Sequence, residues 1–331
     1  MRKTYTLMAL TVMTAIMLTG CKGQKQNVRD EASEVVALAF SADSAYHFCQ
    51  QQCDFGPRTM NSEAHEQCGR WIVSKFQDYG LEVIEQRATL KGFDGTPLLS
   101  NNIIAQFRPE CSDRLLICAH WDSRPWADND PDEANHTKPV MAANDGASGV
   151  GVMLELARLL HAADSMLRPD LGIDFICFDA EDWGSDDHAD SWALGAQHWA
   201  AHPHRQGYKP RYGILLDMVG GQGATFYQER FSKMKAPQVV DRVWHAAQVV
   251  GYGSLFLQKE GGYITDDHGP VNDVAGIPCI DIIAYYPHCE QSNFGPTWHT
   301  VDDTMDHIDR HTLKAVGQTL VQVIWSEKVK K

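Results

Sequence analysis

The chain is short of positive charge, of long apolar stretches and of repetition. Its 331 residues carry 29 Lys and Arg against 43 Asp and Glu, a formal net charge of −14. With no basic stretch interleaved with aromatics, that balance argues against a nucleic-acid partner. One apolar run stands out, Leu7 to Leu18. It falls short of the ~20 residues of a comfortable membrane span, so the mature chain should carry no transmembrane helix of its own. No internal repeat, low-complexity block or Pro- or Ser-rich linker marks a domain boundary. The sequence also lacks a His-Glu-x-x-His helix, the compact form of a catalytic zinc site.

What is present begins with a targeting segment. Arg2 and Lys3 precede the apolar run, which ends in Leu18-Thr19-Gly20-Cys21. This resembles a bacterial lipoprotein signal, cleaved before Cys21 with lipidation of that thiol; an ordinary signal peptide is the other reading. Residues 1–20 are then the signal, residues 21–30 a polar tether, and residues 31–331 one domain. The expected product is exported and lipid-anchored to a membrane, on its periplasmic or cell-envelope side. Eight further cysteines remain: Cys49, Cys53, Cys68, Cys111, Cys118, Cys177, Cys279 and Cys289. An oxidising compartment permits disulfides, but their pairing is not legible. Cys118, Cys177 and Cys279 lie in apolar runs and read as buried free thiols. Cys49 and Cys53 are spaced like a metal pair, but no second pair completes a structural zinc site. Nothing addresses the oligomeric state.

Hydrophobic periodicity places helices over residues 30–52 and 61–79, with Asn61 as N-cap and Gly80 as the stop. Strands are expected over 81–90 at an edge, then over 102–107, 115–119, 171–178, 213–218, 255–258 and 279–284. A helix over 148–163 is apolar almost all round and should be buried. Others cover 193–202, 237–250 and 311–326. Strands alternating with helices predict an α/β fold: a single globular domain with a central mixed, mostly parallel sheet flanked by helices on both faces.

Chemistry gathers where the strands end. Phe178-Asp179-Ala180-Glu181-Asp182-Trp183-Gly184 follows the run Leu171 to Phe178. Ligands of open α/β sheets bind at the carboxyl ends of strands. Adjacent Glu181 and Asp182 point in different directions on an extended backbone, so one can hold a metal while the other works as a base. A solvated acidic turn is the bland alternative. Four more such places follow: Ala119-His120-Trp121-Asp122-Ser123, Ala143-Asn144-Asp145-Gly146, Leu215-Leu216-Asp217-Met218 and Thr297-Trp298-His299-Thr300-Val301-Asp302-Asp303. A single such His or Asp is commonly a structural hydrogen-bonding residue. Together they offer two His and several carboxylates, the donor types of zinc.

The order His120-x-Asp122, Asp145, Glu181-Asp182, Asp217, His299 resembles the zinc aminopeptidase clan, from about Phe55 to Asp303. Within it, Thr265-Asp266-Asp267-His268 and Trp298-His299-Thr300 are similar to glutaminyl cyclases of the animal type. The resemblance implies one zinc per chain, held by Asp145, Asp182 and His299, with Glu181 as general acid/base. It implies that Asp217 and Asp266 hydrogen-bond to each other and to Glu181, and that the Trp298 indole contacts the substrate carbonyl. His120, Asp122, Asp267 and His268 would stand behind these. A cis bond is expected after Asp145. Two positions depart from the animal pattern. Asp182 stands where Glu is usual, and Asp281 where His is usual. The substrate-stacking Trp is out of register, at Asp187, so Trp183 or Trp192 would replace it.

The implied reaction closes an N-terminal glutamine of a peptide or protein to pyroglutamate with loss of ammonia. Two rivals stay open. In a two-zinc aminopeptidase, His120 and Asp217 would hold a second metal with Asp145 bridging. A non-catalytic binding ectodomain is the other.

Overall fold

The computed structural model describes residues 34–328. The expected signal segment, the tether and Cys21 lie outside the described residues. The described chain forms one α/β body around an eight-stranded sheet. Its strands are β1 (Glu82–Lys91), β2 (Pro97–Phe107), β3 (Asp113–His120), β4 (Leu171–Phe178), β5 (Gly213–Asp217), β6 (Thr225–Gln228), β7 (Phe256–Glu260) and β8 (Cys279–Tyr285). They lie in the order β1-β2-β4-β3-β5-β8-β6-β7. The run β4-β3-β5-β8 is parallel. β1 and β2 form an antiparallel hairpin at one edge, and β6 is antiparallel to β8 near the other.

Alternation along the central strands sends side chains into two cores. Leu115, Ile117 and Ala119 of β3 join the larger one, while Leu116 and Cys118 face the other. The larger core is covered by α1 (Ala42–Cys53), α2 (Glu63–Asp78), α3 (Ala147–Ala162), α6 (Pro237–Val249) and α8 (Arg310–Trp325). The opposite face carries α4 (Leu194–Ala201) and α7 (His268–Asp273). A short α5 (Arg230–Lys235) precedes α6. The expected layering is therefore present, and α3 is buried along most of its length. Among the described residues no helix is long and apolar enough to cross a membrane. All eight described cysteines are free, and Cys118, Cys177 and Cys279 are buried as expected.

Local differences have local causes. The first helix starts at Ala42, capped by Ser41, rather than at residue 30. Gln318 and Gln322 of α8 capture the preceding backbone: their side-chain oxygens accept from Phe40 N at 3.0 Å and Val36 N at 2.8 Å. The second helix is capped by Ser62, not Asn61. Asn61 takes φ 66° and bonds across to Pro97 O and Leu99 N. Gly80 ends that helix as expected, at φ 78°.

Candidate active site

The site lies where β3, β4 and β5 end side by side. The chain turns sharply after β4 and β5, where Ala180 has φ 53° and Met218 φ 49°, and again in the loop beyond β8 that brings in His299, itself at φ 55°. Left-handed backbone at non-glycine residues costs about 1–3 kcal/mol each and persists only where the surroundings over-determine it.

Two buried carboxylates do that work on the backbone. Asp122, just past β3, accepts the N–H groups of Glu181 and Asp182, one on each oxygen, both at 3.1 Å. Asp303 accepts the N–H groups of Asn144 at 2.8 Å and Asp145 at 3.0 Å. Each fixes a functional acid through its main chain. No cis peptide bond occurs among the described residues, so the bond after Asp145 is trans, against expectation. Gly146 makes the turn instead, at φ 96°, with room for no side chain: a Cβ there would come 2.9 Å from Asp122 O.

Asp145, Asp182 and His299 converge, with ligand-type atoms within 4.8 Å of one another. His299 Nε2 lies 3.2 Å from Asp182 Oδ1 and 3.6 Å from Asp145 Oδ2. Both Asp182 oxygens are buried without a hydrogen-bond partner among the described residues. Burial would lower the His299 pKa, but Asp182 and Asp128 raise it to about 9. Orphaned, buried, anion-rich and built of zinc-type donors, the cluster fits a divalent cation. The nitrogen Nδ1 of His299 faces Asp128 Oδ1 at 3.4 Å, the carboxylate–histidine pairing usual behind a metal ligand. Arg124 holds Asp128 through two contacts of 2.5 and 3.0 Å and donates to the carbonyls of Asp182 and Gly184. Sequence reasoning missed both residues; the Arg-x-x-x-Asp spacing after His120-x-Asp122 was the available signal.

His120 joins Asp145 to Asp217. Its Nε2 is 2.9 Å from Asp145 Oδ1 and 3.2 Å from Asp217 Oδ1, direct hydrogen-bonding distances. Its Nδ1 is 3.6 Å from Asp122 Oδ1.

Above these groups is a cleft of about 320 Å³. Asp145, Glu181, Asp217, Asp266 and His299 face it, with Trp192, Trp298, Tyr263, Ile264 and Phe294 as apolar walls. Burial pushes the Glu181 carboxyl well above its ordinary range; His120 opposes this, and Asp266 and Asp182 reinforce it. Burial likewise raises Asp217 to about 6 and Asp266 to about 7. The expected hydrogen bonds among Glu181, Asp217 and Asp266 are not found among the described residues. Asp266 instead acts on Glu181 through charge, as Asp217 does on Asp266, and Asp217 turns to His120.

The tryptophans divide. Trp298 stacks on His299, with centroids 3.9 Å apart, and Trp192 lies near-parallel to His299 at 6.2 Å. Both line the cleft. Trp183 does not: it packs on Trp126 and donates toward Asp94 at 3.4 Å. Its neighbour Asp182 points inward, so Trp183 points out. Asp267 and His268 are fully buried behind Asp266 and do not line the cleft.

The sequence pattern of peptidase family M28 matches residues 102–324. Aminopeptidase YwaD of Bacillus subtilis is 30% identical over 284 residues, 83% of this chain and 55% of that protein. The glutaminyl-peptide cyclotransferase of Bos taurus is 27% identical over 247 residues, 66% of this chain and 64% of its own length. The chain thus matches under two thirds of the length of either. The crystal structure of Bacteroides thetaiotaomicron glutaminyl cyclase bound to N-acetylhistamine is 48% identical, with a TM-score of 0.85; the match covers 88% of this chain and 99% of that one.

Proposed function

The chain belongs to peptidase family M28, and we propose that within this enzyme family it cyclises N-terminal glutamine of peptides and proteins to pyroglutamate, releasing ammonia. One observation carries the reading. A buried glutamate of raised proton affinity faces an indole-walled cleft beside a separate cluster of three zinc-type donors. A zinc ion held by Asp145, Asp182 and His299 would polarise the γ-amide carbonyl of the substrate.

The protein's own groups do the rest. Trp192 and Trp298 wall the glutamine side chain and keep water out. Glu181 takes a proton from the α-amine, whose nitrogen bonds to the carbonyl carbon of the side-chain amide. Glu181 then gives that proton to the departing nitrogen, and the bond from carbon to it breaks. One carboxylate serves both steps because burial and the neighbouring acids place its pKa well above the ordinary value. Asp122 and Asp303 fix the backbone of Glu181, Asp182 and Asp145. The reaction consumes no water, which suits apolar walls.

A two-metal aminopeptidase is the second reading. His120, Asp145 and Asp217 also bring ligand atoms within 4.8 Å. Against it, the cleft has apolar, indole-bearing walls, whereas a hydrolase must admit a nucleophilic water. His120→Ala tests this: in a cyclase the zinc held through His299 stays and activity falls in part. Loss of a cleft metal together with most peptide cleavage would establish the peptidase instead.

A further inference from the structure

We propose that a pocket opening off the reaction cleft is a subsite for a lysine or arginine side chain that follows the substrate's N-terminal glutamine. The inference rests on the cyclase reading of the cleft and deepens it by naming a substrate class: glutamine peptides with a basic second or third residue.

The pocket has a volume of about 420 Å³. Asp186, Trp192, Trp298 and His299 line both it and the cleft, so the two are continuous. With glutamine in the cleft, the next residues of the peptide are the ones placed to cross that shared wall, each adding at most about 3.3–3.6 Å. Three segments build the outer walls. The β1–β2 turn brings Phe93, the chain after β3 brings Arg124, Trp126 and Asp128, and the chain after β4 brings Asp186 and Asp187. The rings are held in place by one another. Phe93, 38% exposed, lies 5.9 Å from Trp126 and 5.7 Å from His188, and Trp126 packs edge-on against Trp183 at 5.0 Å.

Charge decides what such walls take. Aromatic faces attract cations, and the chain already uses the pairing: the Arg124 guanidinium lies 5.4 Å from the Trp126 ring and 4.9 Å from the Trp192 ring. That guanidinium is matched by Asp128, through contacts of 2.5 and 3.0 Å. Asp186 and Asp187 are matched by nothing. Both are exposed, and neither carboxylate has an ion pair or hydrogen bond among the described residues. Rings alone would accept any apolar side chain; with two unmatched carboxylates beside them they favour a cation and disfavour an acid. The rival exit lies on the Tyr263 side of the cleft. Its pocket is walled mainly by Phe231, Tyr263, Ile264, Pro270 and Val274, which suits an apolar side chain.

The test compares kcat/KM of the zinc-loaded full chain for glutamine-initiated tripeptide amides at low salt, read as ammonia released. The peptides carry arginine second, arginine third, alanine at both places, glutamate second, or leucine second. An arginine peptide should exceed the alanine peptide by about 5–20-fold, as an exposed cation–π contact and ion pair together would give, and the glutamate peptide should fall below it. The gain should lie in KM, since the contact is remote from the reacting carbon. It should shrink at about 1 M salt, where the carboxylates are screened. Asp186→Asn combined with Asp187→Asn should bring the arginine-to-alanine ratio close to one, and Trp126→Leu should lower it; if the latter fails to fold, the double variant decides. Equal kcat/KM for the arginine and alanine peptides, a ratio untouched in the double variant, or a preference for leucine over arginine overturns the inference, while the ammonia released leaves the cyclase reading standing. No ammonia from any peptide overturns both.

Discussion

Asp122 never meets the substrate, yet the account makes it indispensable. Its two oxygens hold Glu181 N and Asp182 N at 3.1 Å each, in a fully buried position. Hydrogen bonds to a charged group are worth about 1.5–3 kcal/mol each, and buried N–H groups left unmatched cost a similar amount. Asp122→Ala removes both at once, so a loss of about 3–6 kcal/mol is expected. For a chain of this size that lowers the melting temperature by roughly 5–10 °C. Freed from its anchor, the turn also misplaces Asp182, and metal affinity should fall about 10–100-fold, as for other groups that orient ligands. Asp122→Asn keeps one accepting oxygen but turns an amide N–H₂ on the other donor, so it should fall between. Calorimetry and metal titration on the three proteins check this. An Asp122→Ala protein that melts within ~2 °C of wild type and retains its metal would refute the reasoning.

Three other outcomes are expected. Glu181→Gln keeps shape but cannot accept the proton; it should keep its metal and lose about 10²–10⁴-fold in turnover, while the wild-type rate falls with acid at a pH well above the usual glutamate value of 4.5, as the raised Glu181 carboxyl is protonated. Asp113 joins the start of β3 to Arg168 and Arg211; burial raises its pKa, but the two guanidinium groups outweigh this and lower it. Its folded pKa lies below its unfolded one, so its stabilisation is complete above pH ~4 and lost as pH falls further; Asp113→Asn should flatten that acid limb in melting curves taken against pH. We propose that the exported chain is anchored through Cys21: Cys21→Ser should release a soluble catalytic domain lacking a lipid-sized mass, and a wild-type chain found unlipidated after export would end that reading.

Much of the site was legible because a parallel sheet delivers residues to one edge by topology. Glu181, Asp182 and Asp217 each follow an apolar strand, Asp145 opens the buried helix, and the Trp298-His299-Thr300 motif marks the loop that completes the site. The groups that orient them were not legible in the same way. Asp303 and Asp122 act on backbone N–H groups more than fifty residues distant in sequence, and no periodicity encodes such an approach. Arg124 and Asp128 carry only a helix-like spacing, in a segment that is not a helix. Trp183 was misjudged because adjacency to the acids says nothing of direction once Asp182 has taken the inward side. The first helix was read too long because what unwinds residues 34–40 is a pair of glutamines on α8, nearly three hundred residues away.

The most direct measurement incubates the zinc-loaded protein with a glutamine-initiated dipeptide and, separately, a leucine-initiated one, following ammonia, free amino acids and peptide mass. The account predicts release of ammonia from the first, a product lighter by one ammonia with its peptide bond intact, and little free leucine from the second. Efficient release of leucine, with no ammonia from the glutamine peptide, would contradict it.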